Sequence, residues 1–232
     1  MTEPLQIMLG DETVPVKVRR NAQAKRMVLR VCPTTGEVKL TLPKRSSLRQ
    51  AQKFLAGHLD WIDGQRDKAD SVAPLGHGDS VLYLGQPHQI EFTDQSPRKV
   101  LAVGGVIRVG GPIDLAPGRL LKWFKASAKA ALTDASEAYA GLLDVRFNRV
   151  SIGDMKSRWG SCSSRGTLRY NWRLVLAPHD VLRYVAAHEV AHLLEMNHSD
   201  RFWAHVARCE PDYQTHRRWL KRHGSDLFAV KL

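Results

Sequence analysis

Residues 188–192 read His188-Glu189-Val190-Ala191-His192, and a third histidine, His198, follows six residues later. On an α-helix, positions i and i+4 lie about 40° apart on one face. The two imidazoles of this stretch could therefore bind one metal ion, and the carboxylate of Glu189 could reach a water molecule on that ion. The spacing predicts a helix that holds Zn²⁺ for hydrolysis, with Glu189 as the general base.

A catalytic zinc site needs a third protein ligand and one open position. His198 reaches the metal only if the helix ends before it, and Asn197 can adopt the left-handed conformation that ends a helix. Glu195 lies on the same helical face and is a rival third ligand, or else a group that hydrogen-bonds a ligand imidazole without touching the metal. Metzincin proteases share the histidine spacing but have a glycine where this chain has Glu195. The sequence therefore departs from the metzincins, and we favour His198 as the third ligand.

The neighbouring residues predict an amphipathic helix that begins near Pro178 and runs to about Met196. The histidines would face a cleft, and the core would take the apolar side, formed by Leu182, Ala186, Val190 and Leu193. Hydrolysis of a carbonyl compound also needs a group that stabilises the developing oxyanion. The candidates for it are Tyr184, Tyr213, His216 and Arg217.

An unusual loop, SRWGSCSS over residues 157–164, precedes a predicted strand at Thr167–Arg173. Such a strand could lie at the edge of the cleft, where a substrate chain pairs with it. Arg158 and Trp159 could wall a pocket there, although packing of Trp159 in the core explains it equally simply. Cys162 could approach the zinc as an inhibitory thiolate, or it could be an inert buried thiol.

The composition sets limits on the class of protein. The chain has 232 residues, of which 43% are hydrophobic and 25% charged, which is typical of a soluble globular protein. It has no apolar run of membrane-spanning length and no recognisable signal peptide, so we expect a cytoplasmic protein without a membrane partner. Three cysteines without a CxxC pair argue against a disulfide framework, so histidines must supply the metal ligands. The net charge of +12 favours a polyanionic partner such as nucleic acid, or else reflects a solvated basic surface.

The pattern of elements predicts an α+β protein with a boundary near Gly110-Gly111-Pro112. Residues 1–115 would form a β-rich region with one helix, from Ser46 or Ser47 to about Arg66, after a hairpin of residues 27–31 and 37–42 whose turn includes Thr34. Further strands are predicted at residues 81–84, 89–92, 99–103 and 106–109. Residues 116–232 would form a zincin-like α+β domain with a long helix, a small antiparallel sheet, the HExxH active-site helix and two further helices, the last of which ends at Gly224.

Several long motifs resemble the YgjP-like metallopeptidase family. They are RRNAQAKRMVLRV from residue 19, VKLTLP from residue 38, SRWGSCSSRGTLRYNWRLVLAP from residue 157, VLRYVAAHEVAHLLEMNHSDRFW from residue 181 and PDYQTHRRWL from residue 211. The resemblance covers about residues 19–223 and implies a zinc-dependent hydrolase related to SprT-like and other small zincin proteases. It also implies zinc ligands at His188, His192 and His198 and a catalytic glutamate at Glu189. Val190 departs from the family pattern, in which leucine is commoner.

Three functions follow from these features. The first is a zinc metallopeptidase that acts on proteins or peptides, and in a narrower version on proteins associated with nucleic acid. The second is a metal-dependent phosphohydrolase that acts on nucleoside triphosphates, although no P-loop is present. The third is a nucleic-acid-binding module with a structural zinc, which would need a fourth protein ligand such as Cys162 or His205. The sequence does not predict the oligomeric state.

Overall fold

The structure is a computed structural model that describes residues 5–33, 35–70, 73–156 and 158–232. Thr34 of the predicted hairpin turn and Ser157 of the predicted loop lie outside the described residues. The chain is a mixed α+β protein with a β-rich N-terminal part, as predicted. It divides into two compact units, Met1–Ala73 and Pro74–Val230.

The first unit contains one four-stranded sheet and two helices. In chain order the elements are β1 (Leu5–Leu9), β2 (Glu12–Asn21), β3 (Val28–Val31), β4 (Val38–Pro43), α1 (Leu48–Ala56) and α2 (Leu59–Asp70). The sheet order is β1-β2-β4-β3, with β2 and β4 parallel and the other two pairs antiparallel. Alternate residues of the strands point to one face, where they form a core with α1 and α2.

The predicted hairpin is confirmed as β3 and β4, with Val31 opposite Val38. Ser47 caps α1 as predicted, and a capping box joins it to Gln50. The prediction of one helix to Arg66 is wrong, because α1 ends at Ala56 and α2 begins at Leu59. Gly57 terminates α1, and its amide donates to carbonyl groups in the last turn of that helix.

The second unit begins with a sheet of the same topology. Its strands are β5 (Ser80–Tyr83), β6 (Gln86–Thr93), β7 (Val100–Val103) and β8 (Val106–Gly110), in the order β5-β6-β8-β7. Again the middle pair is parallel and the outer pairs are antiparallel. The division after Ala73 differs from the predicted boundary near residue 115. The physical reason is that the buried face of this sheet shares a core with the helices that follow, through Val81, Ile90, Ile107 and Val109.

The remaining elements of the second unit are α3 (Ala116–Leu143), β9 (Arg149–Gly153), β10 (Gly160–Cys162), β11 (Thr167–Asn171), a 3-10 helix (Trp172–Leu176), α4 (His179–Ala191), α5 (Asp200–Cys209) and α6 (Tyr213–Ala229). The third sheet has the order β10-β11-β9. It is mixed rather than antiparallel as predicted, because β11 pairs in parallel with β9 and antiparallel with β10.

Two helices end at other residues than predicted. Helix α4 ends at Ala191 and not near Met196. Helix α6 continues through Gly224 to Ala229, because the missing side chain at Gly224 makes room for the indole of Trp159. No helix among the described residues combines the length and the hydropathy needed to cross a membrane.

Candidate metal centre

Three imidazoles meet between α4 and α5. His188 lies in the last turn of α4, His192 directly follows that helix, and His198 precedes the Ser199 cap of α5. One ring nitrogen of each lies within 4.8 Å of the other two, and the Nε2 atoms of His188 and His198 are 3.2 Å apart. Among the described residues, these three histidines form the one group of potential ligands that could hold a metal ion.

The chain returns His198 to the helix by ending α4 early. The amides of Leu193 and Leu194 donate to carbonyls only three residues back, at 3.0 and 3.1 Å, so the helix tightens and stops. Asn197 accepts a hydrogen bond from the amide of Ser199 at 3.0 Å. The predicted left-handed Asn197 is not found, because the described non-glycine residues with positive φ lie elsewhere in the chain. The required break in the helix exists, but it lies at His192.

The three donors suit a zinc ion. Two nitrogens that bind a tetrahedral zinc at about 2.0–2.1 Å lie about 3.3 Å apart, close to the 3.2 Å between His188 and His198. Burial and the neighbouring imidazoles lower the pKa of His188 to about 3, and burial also lowers the pKa of His198. Both rings are therefore neutral near pH 7, which is the form that binds a metal. The Nδ1 atom of His192 lies 2.9 Å from the carbonyl oxygen of Glu195, an arrangement that leaves Nε2 as the ligand atom.

Two aromatic rings that the sequence analysis missed pack against the imidazoles. The ring of Phe202 lies 4.8 Å from those of His188 and His198 and 4.5 Å from that of His192. The ring of Trp203 lies 5.8 and 5.9 Å from His188 and His198. The sequence signal was available, because both residues follow Ser199 in the first turn of α5, where a returning chain must pack. These rings restrict the movement of the histidines.

Glu189 is buried beside the histidine cluster. Its side chain packs over the α-carbon of Gly160, where an added β-carbon would lie 2.6 Å from Cγ and 2.7 Å from Cδ of the glutamate. Burial raises the pKa of Glu189 to about 8, whereas the charge of Arg158 and a backbone hydrogen bond from Cys162 oppose that rise. A metal cation held by the neighbouring imidazoles would also oppose the rise and lower the pKa of Glu189.

Strand β10 forms the edge of its sheet next to Glu189. The amide of Asn171 donates to the carbonyl of Trp159 at 2.8 Å, and the amide of Ser163 donates to that of Thr167 at 3.0 Å. Because backbone groups alternate in direction along a strand, those of Gly160 and Cys162 point away from β11. The predicted edge strand, β11, is in fact the central strand of the sheet. The edge that faces the glutamate was predicted as a loop.

Three of the predicted contact residues lie near the cluster. The ring of Tyr184 is 6.1 Å from that of His188, and burial raises the pKa of its hydroxyl to about 12. Tyr213 stacks on Trp203 at 5.3 Å between ring centres, and the guanidinium of Arg217 lies 4.6 Å above the same indole. The charge of Arg217 acts on Tyr184, His188 and His198, which places a cation beside the histidines.

The other predicted residues have different neighbours. Trp159 stacks on Phe228 of α6 with ring centres 4.1 Å apart, so it packs within the second unit. His216 lies near Glu210, where its charge favours the ionised carboxylate and so opposes the rise that burial causes in the pKa of Glu210. The carboxylate of Glu195 lies 3.5 Å from Arg201 and outside the ligand group, although its carbonyl contacts His192 as described above.

Neither proposed fourth ligand joins the histidines. Cys162 and His205 are both absent from the group that could hold a metal, as judged from the described residues. Burial, together with the charge of Glu189, raises the pKa of the Cys162 thiol to about 11, so a thiolate is disfavoured there. Three protein donors among the described residues would leave one position of a tetrahedral ion open, as in catalytic rather than structural zinc sites.

A model of the YgjP-like metallopeptidase domain matches residues 25–223. The chain belongs to the YgjP-like metallopeptidase family. This confirms the resemblance predicted from the sequence motifs, and it makes the chain a metal-dependent peptidase. The match begins in the loop between β2 and β3 and ends within α6. It therefore includes all three histidines.

Comparison with other proteins adds little to the family assignment. No curated protein matches this YgjP-like chain. One solved structure that it resembles is the metallopeptidase zymogen abylysin of Pyrococcus abyssi, with 22% sequence identity and a TM-score of 0.37. The alignment covers 44% of this chain and 99% of that one.

Proposed function

We propose that this metallopeptidase hydrolyses peptide bonds with a zinc ion held by His188, His192 and His198 and with Glu189 as the general base. One observation carries the proposal: three imidazoles converge within 4.8 Å beside the buried side chain of Glu189 at a sheet edge. Imidazole donors suit zinc among the common metals, and three protein ligands leave a position for water. When bound there, zinc would lower the pKa of that water and polarise the scissile carbonyl group.

The chain's own residues account for the handling of the proton. Glu189 directly follows the ligand His188 in α4, and we propose that its carboxylate lies beside the water that would share the metal. Gly160 and the backbone of Cys162 fix its position, as the packing and hydrogen bond described above indicate. A carboxylate held in this way can take a proton from the attacking water and deliver it to the leaving amine.

A substrate chain would bind along β10. The outward backbone groups of Gly160 and the outward carbonyl of Cys162 can pair with an extended peptide, which would place its backbone beside Glu189, while the amide of Cys162 donates to that carboxylate. Tyr213 and Arg217 both pack on Trp203 and lie on the histidine side of α6, so we propose them as the groups that stabilise the developing oxyanion or orient the substrate.

Cleavage of casein and of a quenched fluorescent peptide tests the proposal. We expect Glu189→Gln to lower kcat by about 10²–10⁴-fold while one zinc per chain is retained. The matched control is Glu195→Gln, which makes the same chemical change at a carboxylate outside the ligand group and should leave kcat within about twofold. Full activity of Glu189→Gln would refute the role of that residue.

The metal ligands are tested separately by zinc content. His198→Ala should lose bound zinc, whereas Glu195→Ala should keep it. The reverse result would make Glu195 the third ligand. A zinc with four protein ligands, or release of pyrophosphate from nucleoside triphosphates without peptide cleavage, would support the structural or phosphohydrolase alternatives instead.

We further propose that the natural substrates are cytoplasmic proteins associated with nucleic acid. The support is the net charge of +12, which favours polyanionic surroundings. Cleavage of a DNA-binding protein should then be faster in the presence of duplex DNA than in its absence, whereas cleavage of a short peptide should not change. Equal rates on the DNA-binding protein would contradict this narrower proposal.

A further inference from the structure

The sheet of the first unit has one buried face and one open face that carries a cluster of cations. Strand alternation places Lys17 and Arg19 of β2 on the open face, because Val14 and Val16 point into the core. Lys39 lies opposite Lys17 on β4, and Arg30 lies opposite Lys39 on β3. Residues opposite each other in register share a face. We call these four cations the basic face.

The basic face has little negative charge to balance it. Glu37 forms ion pairs with both Lys17 and Lys39. Arg19 and Arg30 are exposed and contact no carboxylate among residues 5–33 and 35–70. Like charges that lie directly opposite one another destabilise a sheet, so the row of Lys17, Lys39 and Arg30 costs folding stability. A bound polyanion would offset that cost.

More cations surround one end of this face. The exposed residues of the loop after β2 and of the segment after β4 lie at the same end of the sheet, because Asn21 pairs with Pro43 there. They are Lys25, Arg26, Lys44 and Arg45. Positive charge therefore extends beyond the sheet at this end.

We propose that the basic face binds the phosphodiester backbone of nucleic acid without sequence specificity. Neighbouring strands lie about 4.8 Å apart and alternate residues of one strand about 6.7 Å apart, so the four cations cover a patch about 10 Å wide. A duplex presents a phosphate about every 3.4 Å along each strand, so such a patch contacts several of them. Residues 5–43 contain no aromatic side chain, which leaves backbone contacts rather than base stacking.

An anionic membrane is a less suitable partner for this face. Interfacial binding to lipid also buries large apolar side chains. The row beside Arg19 contains Thr41 and Val28, and the exposed Met8 lies on the outer strand β1, so the described residues of this face offer one large apolar side chain rather than a cluster of anchors. Nucleic acid needs only the array of cations, and its binding here does not depend on the peptidase activity proposed above.

Binding of the full-length protein to a labelled 20-base-pair DNA duplex, measured by fluorescence anisotropy from 50 to 200 mM salt, tests the proposal. Four phosphate contacts give a slope of log K against log salt of about −3.6. Arg19→Gln/Arg30→Gln should reduce that slope to about −1.8 and weaken binding about 100-fold at 50 mM salt. Glu37→Gln should tighten binding, because it releases Lys17 and Lys39 from their ion pairs.

The matched control is Arg49→Gln/Lys53→Gln, which removes the same charge from exposed positions of α1, on the other side of the sheet. We expect it to change the affinity by less than about threefold. Arg19→Lys/Arg30→Lys should retain binding, which separates loss of charge from loss of folding. Equal losses in the two charge-removing variants, or binding to vesicles of phosphatidylcholine and phosphatidylserine but not to the duplex, would overturn the proposal.

Discussion

Gly160→Ala tests whether the edge strand holds the catalytic carboxylate in place. An alanine β-carbon there would lie 2.6 Å from Cγ and 2.7 Å from Cδ of Glu189, whereas ordinary contacts begin at 3.4 Å. The strand cannot easily yield, because the hydrogen bonds from Asn171 to Trp159 and from Ser163 to Thr167 hold β10 on both sides of residue 160. The glutamate must therefore move by about 1 Å.

The expected consequence is a loss of activity with little loss of folding. A displacement of about 1 Å at a catalytic group lowers kcat by about 10²-fold. Overpacking of one methyl group lowers the free energy of unfolding by about 1–3 kcal/mol. We therefore expect Gly160→Ala to fold and to bind one zinc ion, but to cleave peptides about 100-fold more slowly.

The assay compares kcat, KM, zinc content and urea unfolding for three proteins. The matched control is Gly141→Ala, a glycine of α3 whose added β-carbon would have no atom within 4 Å. This variant should keep full activity, and its free energy of unfolding should rise by up to about 1 kcal/mol, because alanine is a better helix former than glycine. If Gly160→Ala cleaves as fast as the wild type, the position of Glu189 either does not depend on Gly160 or does not matter for the reaction.

Other predictions concern stability. Gly85→Ala should lower the free energy of unfolding, measured in urea, by about 2–4 kcal/mol, because φ is +80° and the new β-carbon would lie 2.7 Å from Cα of Pro178. The control Gly104→Ala also has a positive φ, but its new β-carbon would have no atom within 4 Å, so it should lower the free energy of unfolding by only about 1 kcal/mol. Two lysines hold the pKa of Glu37 at about 2, below its ordinary 4.5, so its ionised form stabilises the fold above about pH 4.5. Glu37→Gln should therefore lower the free energy of unfolding by up to about 1 kcal/mol at pH 7. The difference in free energy of unfolding between this variant and the wild type should shrink between pH 5 and pH 3. A difference that stays constant would exclude the ion pairs as its source. Zinc at a thousand times its Kd should raise the free energy of unfolding of the wild type by about 4 kcal/mol, but should not raise that of His192→Ala; thermal unfolding measures both.

Local signals in the sequence predicted the features that depend on neighbouring residues. The sequence predicts Ser46 or Ser47 as a helix cap because a serine side chain can accept a hydrogen bond from the first turn, and Ser47 does so. The hairpin of β3 and β4 and the strands at residues 99–103 and 106–109 are also predicted from nearby residues. The convergence of the three histidines followed from their spacing and from the need for a break in the helix.

Features that depend on distant residues were missed. Gly224 was predicted to end α6, but Trp159, far away in the sequence, fills the space above it and the helix continues. The spacing predicts Glu189 as the general base but not its burial, which comes from its contact with Gly160. The topology common to the two four-stranded sheets was also missed. The two sheets have the same order of strands but different sequences, so the likeness is not visible from the residues.

The shortness of β10 has a consequence for solubility. A sheet edge with outward backbone groups can accept a strand from any chain, so an edge kept open for substrates is also open to other copies of the protein. Strand β10 contains only three residues, from Gly160 to Cys162. Such a short edge offers too few hydrogen bonds to hold two copies together unaided. A bound peptide can gain further affinity from contacts with side chains outside the strand.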